Sequence, residues 1–259
     1  MRIHPEIEPL RRGLIVSCQA PPGSPLDDSY IISAMARTAE LHGAAGVRIN
    51  SPAHIAATNL RVRVPIIGIE KIVTEGSDVY ITPTFEVARG IADAGARILA
   101  IDATRRPRPG GETLEGILQR LRAELRPPVM PVMPVMPVMP VMPVMPVMPV
   151  MPVMPVMADV DRFDEGLYAA DCGADLVATT LCGYTAETRG ARLPAFDLIE
   201  RLARRLDLPV ICEGGVSSPE EVKRALDCGA FAVVVGGAIT GVSQLVTRFV
   251  NFDTQTLSK

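Results

Sequence analysis

The chain has 259 residues, 48% hydrophobic and 21% charged, which is enough apolar material for one large core and too ordinary a composition for wholesale disorder. Twenty-six basic residues against 29 acidic ones leave a net charge of −3, so no global positive field exists to hold nucleic acid or an anionic membrane. Any anionic ligand must be held locally.

At the N-terminus, Pro5, Glu6, Glu8 and Pro9 interrupt any apolar run that could act as a secretory signal, and no stretch reaches the ~18 uninterrupted apolar residues of a membrane helix. A cytoplasmic location is expected. A first strand is predicted over residues 14–18, running out at Gln19; the following Ala20 offers no G-x-G-x-x-G turn, which speaks against a Rossmann fold. The second strand, 47–49, follows Gly43-Ala44 and carries Arg48. The third, 66–69, opens at Pro65 and delivers Glu70 or Lys71 at its end. The fourth, 98–101, follows Gly95-Ala96 and ends at Asp102; the Arg105-Arg106-Pro107-Arg108 run beyond it lacks aromatic company and reads as a solvated loop.

Residues 128–157 are ten consecutive copies of Pro-Val-Met, which hold most of the 12 methionines. A proline at every third position removes every third backbone donor, so the tract can be neither helix nor central strand. Only the last copy can enter a sheet, as the start of a fifth strand over 156–160 that carries Asp159. Residues 128–154 are then a low-complexity insertion, looped out before that strand. The sixth strand, 176–181, follows Gly173-Ala174 and supplies Thr179 or Thr180. The seventh, 210–212, opens at Pro209 and ends in Glu213-Gly214-Gly215; the eighth, 232–235, follows Gly229-Ala230 and ends in Gly236-Gly237.

Eight strand-like runs alternating with helical patterns predict a single α/β domain over 1–259, a (β/α)8 TIM barrel. The Gly-Ala pairs before all four even strands fit helix ends at which glycine turns left-handed and a small alanine leads into the next strand. Chemistry in such a barrel gathers at the C-terminal ends of the strands. Lys71 would stand there beside apolar walls that lower its pKa, which suits a base. Glu213 is a carboxylate directly after a buried strand, and Asp159 and Asp102 share that placement, although an aspartate there also caps loop amides. Gly214, Gly215, Gly236 and Gly237 let backbone amides approach an anion after the last two strands, with Arg48 as a fixed positive charge or as a rim salt bridge. His4, His42 and His54 lie away from every strand end, so neither a metal site nor a histidine base is expected. The five cysteines lack C-x-x-C spacing and are expected as buried reduced thiols.

The segments Gly13-Leu-Ile-Val-Ser-Cys-Gln-Ala20, Val79-Tyr-Ile-Thr-Pro-Thr84, Ala100-Ile-Asp-Ala-Thr-Arg-Arg-Pro-Arg-Pro109, Thr179-Thr-Leu-Cys-Gly-Tyr-Thr185 and Val233-Val-Val-Gly-Gly-Ala-Ile-Thr240 occur together and in order. In these the chain resembles the N-acylmannosamine-6-phosphate 2-epimerase family across nearly all of its length outside the repeat. The resemblance implies a TIM barrel that interconverts N-acetylmannosamine 6-phosphate and N-acetylglucosamine 6-phosphate without a cofactor, in sialic acid and amino sugar breakdown. It further implies that Lys71 moves the C2 proton, that Glu213 assists ring opening, and that Gln19, Arg48 and Asp159 hold sugar and phosphate. The expected partner is a small phosphorylated amino sugar, with no nucleic acid or membrane and with room for a homo-oligomer. The chain departs from the family's usual pattern at Gly215 and Gly241, where an arginine is frequent, and at Ile72-Val73, where Arg-Asp is frequent. Two other readings remain open: an inactive phosphosugar-binding barrel, and an epimerase or isomerase of another phosphorylated sugar.

Overall fold

A computed structural model of the chain describes residues 3–124 and 153–251. Eight parallel strands run β1 (Leu14–Cys18), β2 (Gly46–Asn50), β3 (Ile66–Ile69), β4 (Ile98–Asp102), β5 (Val156–Asp159), β6 (Leu176–Ala178), β7 (Val210–Cys212) and β8 (Ala232–Val235). They pair in sequence order, and β8 returns to β1 to close the barrel. The helices are α1 (Ser29–Leu41), α2 (Pro52–Asn59), α3 (Phe85–Asp93), α4 (Leu114–Glu124), α5 (Phe163–Asp171), α6 (Phe196–Arg205), α7 (Pro219–Asp227), the single turn α8 (Gly237–Thr240) and α9 (Val242–Val250). The expected TIM barrel is present.

The sequence grammar has a visible physical basis. Gly43, Gly95, Gly173 and Gly229 all take left-handed φ values, from 93° to 98°. The amides of Ala44, Ala174 and Ala230 then reach back five residues to Ala39, Ala169 and Ala225, each at 3.0 Å, which closes a Schellman turn and aims the chain at the next strand. The prolines that open β3, β5 and β7 donate nothing but accept: the carbonyls of Pro65, Pro155 and Pro209 take the amides of Val47, Leu99 and Val177 at 3.0–3.1 Å.

Side-chain alternation divides the apolar residues into two cores. Outward residues such as Val16, Val47, Leu99 and Val177 pack beneath the helices. Inward residues such as Ile15, Ile67, Ile98, Met157, Leu176 and Ile211 fill the barrel. The N-terminal arm seals its base: Ile7, and Leu10 in the 3-10 turn Glu8–Leu10, are both buried in the inner core. Leu10 fits there because β2 opens with Gly46, where a Cβ would lie 2.6 Å from the Leu10 side chain.

Three expectations need correction. The sixth strand stops at Ala178 and not at residue 181, because the Thr179 hydroxyl replaces the ladder: it donates to the Glu213 carbonyl at 2.9 Å and accepts the Glu213 amide at 3.1 Å, and the chain then turns. The run after β4 is not a solvated loop. Arg108 is buried, donating to the Asp102 and Pro83 carbonyls, and Arg106 is half-buried on the Asp102 carboxylate at 2.6 Å; only Arg105 is largely exposed, stacked over Tyr168. Of the free cysteines, Cys18, Cys182 and Cys212 are buried, but Cys172 and Cys228, at helix C-caps, are half-exposed. The insertion expected at 128–154 lies outside the described residues except for Val153 and Met154. Among the described residues no helix is long and apolar enough to cross a membrane.

Candidate active site

Side chains of a strand alternate, so a residue two positions beyond an inward apolar residue also points inward. Counting up from Ile15, Ile69, Ala100, Met157, Ala178 and Ile211 of the inner core gives Ser17, Lys71, Asp102, Asp159, Thr180 and Glu213. These polar residues ring the C-terminal mouth, together with Arg48, two positions beyond Gly46.

Arg48 is the hub. Although only 1% exposed, it carries its charge between two carboxylates: Nη1 and Nη2 meet Asp159 Oδ1 and Oδ2 at 3.1 and 2.5 Å, and Nη1 also meets Glu213 Oε2 at 2.7 Å. Burial works against that charge, but Asp159 and Glu213 outweigh it and raise the Arg48 pKa. Thr180 closes the cluster from β6, its Oγ1 lying 2.7 Å from Asp159 Oδ1 and 3.1 Å from Glu213 Oε2. Burial raises the Glu213 pKa above the ordinary glutamate value; Arg48 opposes this and the Asp159 charge reinforces it. The expected alternative for Arg48 is thus realised: it is an internal ion pair, not a free cation for phosphate.

Lys71 faces this cluster from the opposite side of the mouth, at the end of β3. Its Nζ donates to Gln19 Oε1 at 2.7 Å, and Gln19 Nε2 in turn donates to Ser17 Oγ at 2.8 Å. The Lys71 amide is pinned by Asn50 Oδ1 at 2.9 Å, and a bridge to Ile81 fixes the loop beyond it. The side chain is open to solvent at the mouth, yet the crowding of its amine lowers its pKa, the Arg48 charge pushes the same way, and Glu213 and Asp159 pull back. Of the two residues offered by the sequence, Lys71 therefore faces the site.

Asp102 follows the other course foreseen for it. It binds Arg106, accepts from the Thr104 amide at 3.0 Å and from its hydroxyl at 2.7 Å, and so braces its loop. Tyr80 stands half-buried within electrostatic reach of Asp159, Asp102 and Arg48, and burial raises its hydroxyl pKa. The glycine pairs sit on adjacent strand ends: Gly214 and Gly215 have φ of 110° and 72°, and Gly236 lies against Ser17. At Gly215 a Cβ would meet Leu193 Cβ at 2.5 Å, so this loop conformation leaves no room for a side chain there. The histidines stand apart from the mouth, His42 at the C-cap of α1 and His54 in α2 beside Asp27 at 3.9 Å. Sequence reading left Ser17 and Asn50 out of the site and did not choose between Thr179 and Thr180.

Fold and site together define a TIM-barrel enzyme with an amine and a buried carboxylate pair at its C-terminal mouth. The family described as "Putative N-acetylmannosamine-6-phosphate epimerase" matches residues 32–130 and 151–255. A relative from Synechococcus elongatus, "Putative N-acetylmannosamine-6-phosphate 2-epimerase", is 44% identical over 95% of each chain. One of the same description from Caldanaerobacter subterraneus subsp. tengcongensis is 41% identical, covering 95% of this chain and 93% of its own. The solved N-acetylmannosamine-6-phosphate 2-epimerase from Clostridium perfringens superposes with a TM-score of 0.82 at 34% identity, over 97% of this chain and 98% of its own. The chain belongs to the N-acetylmannosamine-6-phosphate 2-epimerase family.

Proposed function

We propose that the chain interconverts N-acetylmannosamine 6-phosphate and N-acetylglucosamine 6-phosphate, with Lys71 as the base that takes and returns the C2 proton. The observation that carries this reading is the Lys71 amine, of lowered pKa, facing a carboxylate pair across the mouth of a barrel of this family. The sugar must first open. Glu213, whose raised pKa favours the protonated form, gives a proton to the ring oxygen, while the anomeric hydroxyl passes one by way of the partly buried Thr180 hydroxyl to the buried Asp159. The aldehyde then acidifies the C2 hydrogen. Gln19 accepts one hydrogen of the Lys71 amine, and this orients the lone pair of the neutral form toward the cavity. Charge gathers on the aldehyde oxygen of the enediolate-type intermediate, where donors at the mouth stabilise it. Inversion requires the open-chain intermediate to present its second face to the ammonium.

The amides of Gly214, Gly215, Gly236 and Gly237 are the proposed seat of the phosphate, since their loops adjoin and these residues carry no side chains of their own to hold an anion off. Every proton donor and acceptor on this route is a side chain of the protein, so the proposal invokes no cofactor. A phosphorylated amino sugar is a cytoplasmic metabolite, in keeping with a role in sialic acid and amino sugar breakdown.

The test is proton NMR of N-acetylmannosamine 6-phosphate with the purified protein in D₂O, beside Lys71→Ala. N-acetylglucosamine 6-phosphate deuterated at C2 is expected, with exchange lost in the variant. Tight substrate binding without exchange in the intact protein would instead make it a phosphosugar-binding barrel.

A further inference from the structure

A threonine hydroxyl has one hydrogen to give and two lone pairs to accept with. Thr180 Oγ1 nevertheless contacts two carboxyl oxygens, Asp159 Oδ1 at 2.7 Å and Glu213 Oε2 at 3.1 Å. It can donate to only one of them. A proton on the other carboxyl group lets Thr180 accept there and makes both contacts full hydrogen bonds in place of one shared hydrogen. The shorter contact is with Asp159, which is fully buried and holds both terminal nitrogens of Arg48, the stronger claim on an ionised state. Glu213 has a single contact with the same guanidinium.

We propose that Thr180 is a positioning residue that makes Asp159 and Glu213 share one proton, held on Glu213 and aimed at Thr180 Oγ1 while the Thr180 hydrogen points to Asp159. The three groups form a relay. During ring opening, Glu213 gives its proton to the ring oxygen, and Thr180 Oγ1 takes one from the anomeric hydroxyl as its own hydrogen passes to Asp159, which is too buried to meet the sugar itself. The Asp159 proton then passes to Thr180 Oγ1 as the Thr180 hydrogen passes to Glu213, and the starting state returns with atoms and charge balanced. No bulk water need enter a cluster whose Arg48 and Asp159 are at most 1% exposed. The charged or titratable groups facing it are Arg48 from β2, Lys71 after β3, Tyr80 from the loop beyond, and Asp102, beside Asp159 on β4, with its partner Arg106, together with Asp159 and Glu213 themselves.

The relay's kinetic role rests on the epimerase reading, but its proton does not. Infrared spectra of the protein with isotope-labelled glutamate carboxyls, without substrate, should contain a protonated carboxyl band at neutral pH that disappears in Glu213→Gln. With substrate, the kcat/KM limb lost in Glu213→Gln should move to lower pH by half a unit or more in Thr180→Val, with kcat down tenfold or more, and Thr180→Ser should restore both. Absence of the wild-type band, or Thr180→Ser behaving as Thr180→Val, would overturn the proposal. If Thr180→Val does not fold, the band alone decides. A band without turnover would leave the shared proton standing and count against the epimerase reading, and with it the relay's kinetic role.

Discussion

Arg48 illustrates how one residue joins stability to chemistry. A guanidinium buried to 1% is tolerable only because the Asp159 and Glu213 carboxyl groups accept from its terminal nitrogens, and those groups stay close together only because it lies between them. Replacing it with methionine, of similar length, should therefore cost about 3–5 kcal/mol, the penalty for leaving buried charge uncompensated. The loss should depend on pH. Without Arg48, which opposes the effect of burial, the Glu213 pKa in the folded state rises further above its unfolded value, so the folded protein binds more protons than the unfolded chain. Stability then falls as pH rises through that window, and Arg48→Met should be less damaging at pH 5 than at pH 8 in urea titrations. An equal penalty at both would mean that the carboxylates find other partners.

The same sign applies to Glu213 in the wild-type protein. Its raised pKa contributes stability that is present below the ordinary glutamate value and lost as pH climbs toward the raised one. This is the mark of a group placed for proton transfer at a cost to folding. Much of the site was legible in the sequence, because Lys71, Asp159 and Glu213 each follow a recognisable apolar run. What was not legible follows from one missing count. Counting in twos from the inward layer selects Lys71 over Glu70 and Thr180 over Thr179, but which strand residues face inward is fixed only once the barrel closes. Nor could residue type reveal that Arg48 is spent on carboxylates, since its partners are 111 and 165 residues away.

At the scale of elements, the helix-to-strand turns were readable because they use a local rule, and their glycines should differ in a measurable way. Gly43 and Gly229 have nearly the same φ, 93° and 98°, so alanine meets the same left-handed strain at each, roughly 1–2 kcal/mol. Their surroundings differ: a Cβ at Gly43 meets nothing within 4 Å, whereas one at Gly229 lies 2.9 Å from Ala203 Cβ on α6. Gly229→Ala should therefore lower the melting temperature more than Gly43→Ala, and both should leave kcat unchanged because these turns lie at the barrel end away from Lys71. A matching Tm loss would mean that α6 yields freely. The arginine run after β4 was misread for a complementary reason: burial of Arg106 and Arg108 depends on Asp102, whose inward direction is a property of the closed sheet.

The whole barrel separates folding from chemistry along its axis. At one end Ile7 and Leu10 plug the interior and the Schellman turns set each strand's start; at the other the strand ends carry the titratable groups. In the sequence the Pro-Val-Met repeat stands between α4 and β5, and in a (β/α)8 barrel helices end and strands begin at the plugged end. Its last copy contributes the Val156 amide, bound by Asp175 at 2.8 Å, and Met157, fully buried in the interior, so that copy belongs to the barrel's fabric. Met154 of the copy before it packs against the outer core as well, so the eight copies before that, residues 128–151, are the ones to remove. Lengthening or shortening a connection changes its closure entropy only logarithmically, by about 0.6 kcal/mol per doubling. Deleting those eight units should therefore leave kcat and KM for N-acetylmannosamine 6-phosphate within about twofold of the full chain and stability nearly the same. A large loss of turnover with the fold intact would put the repeat near the mouth, against the axial separation that the rest of the molecule obeys.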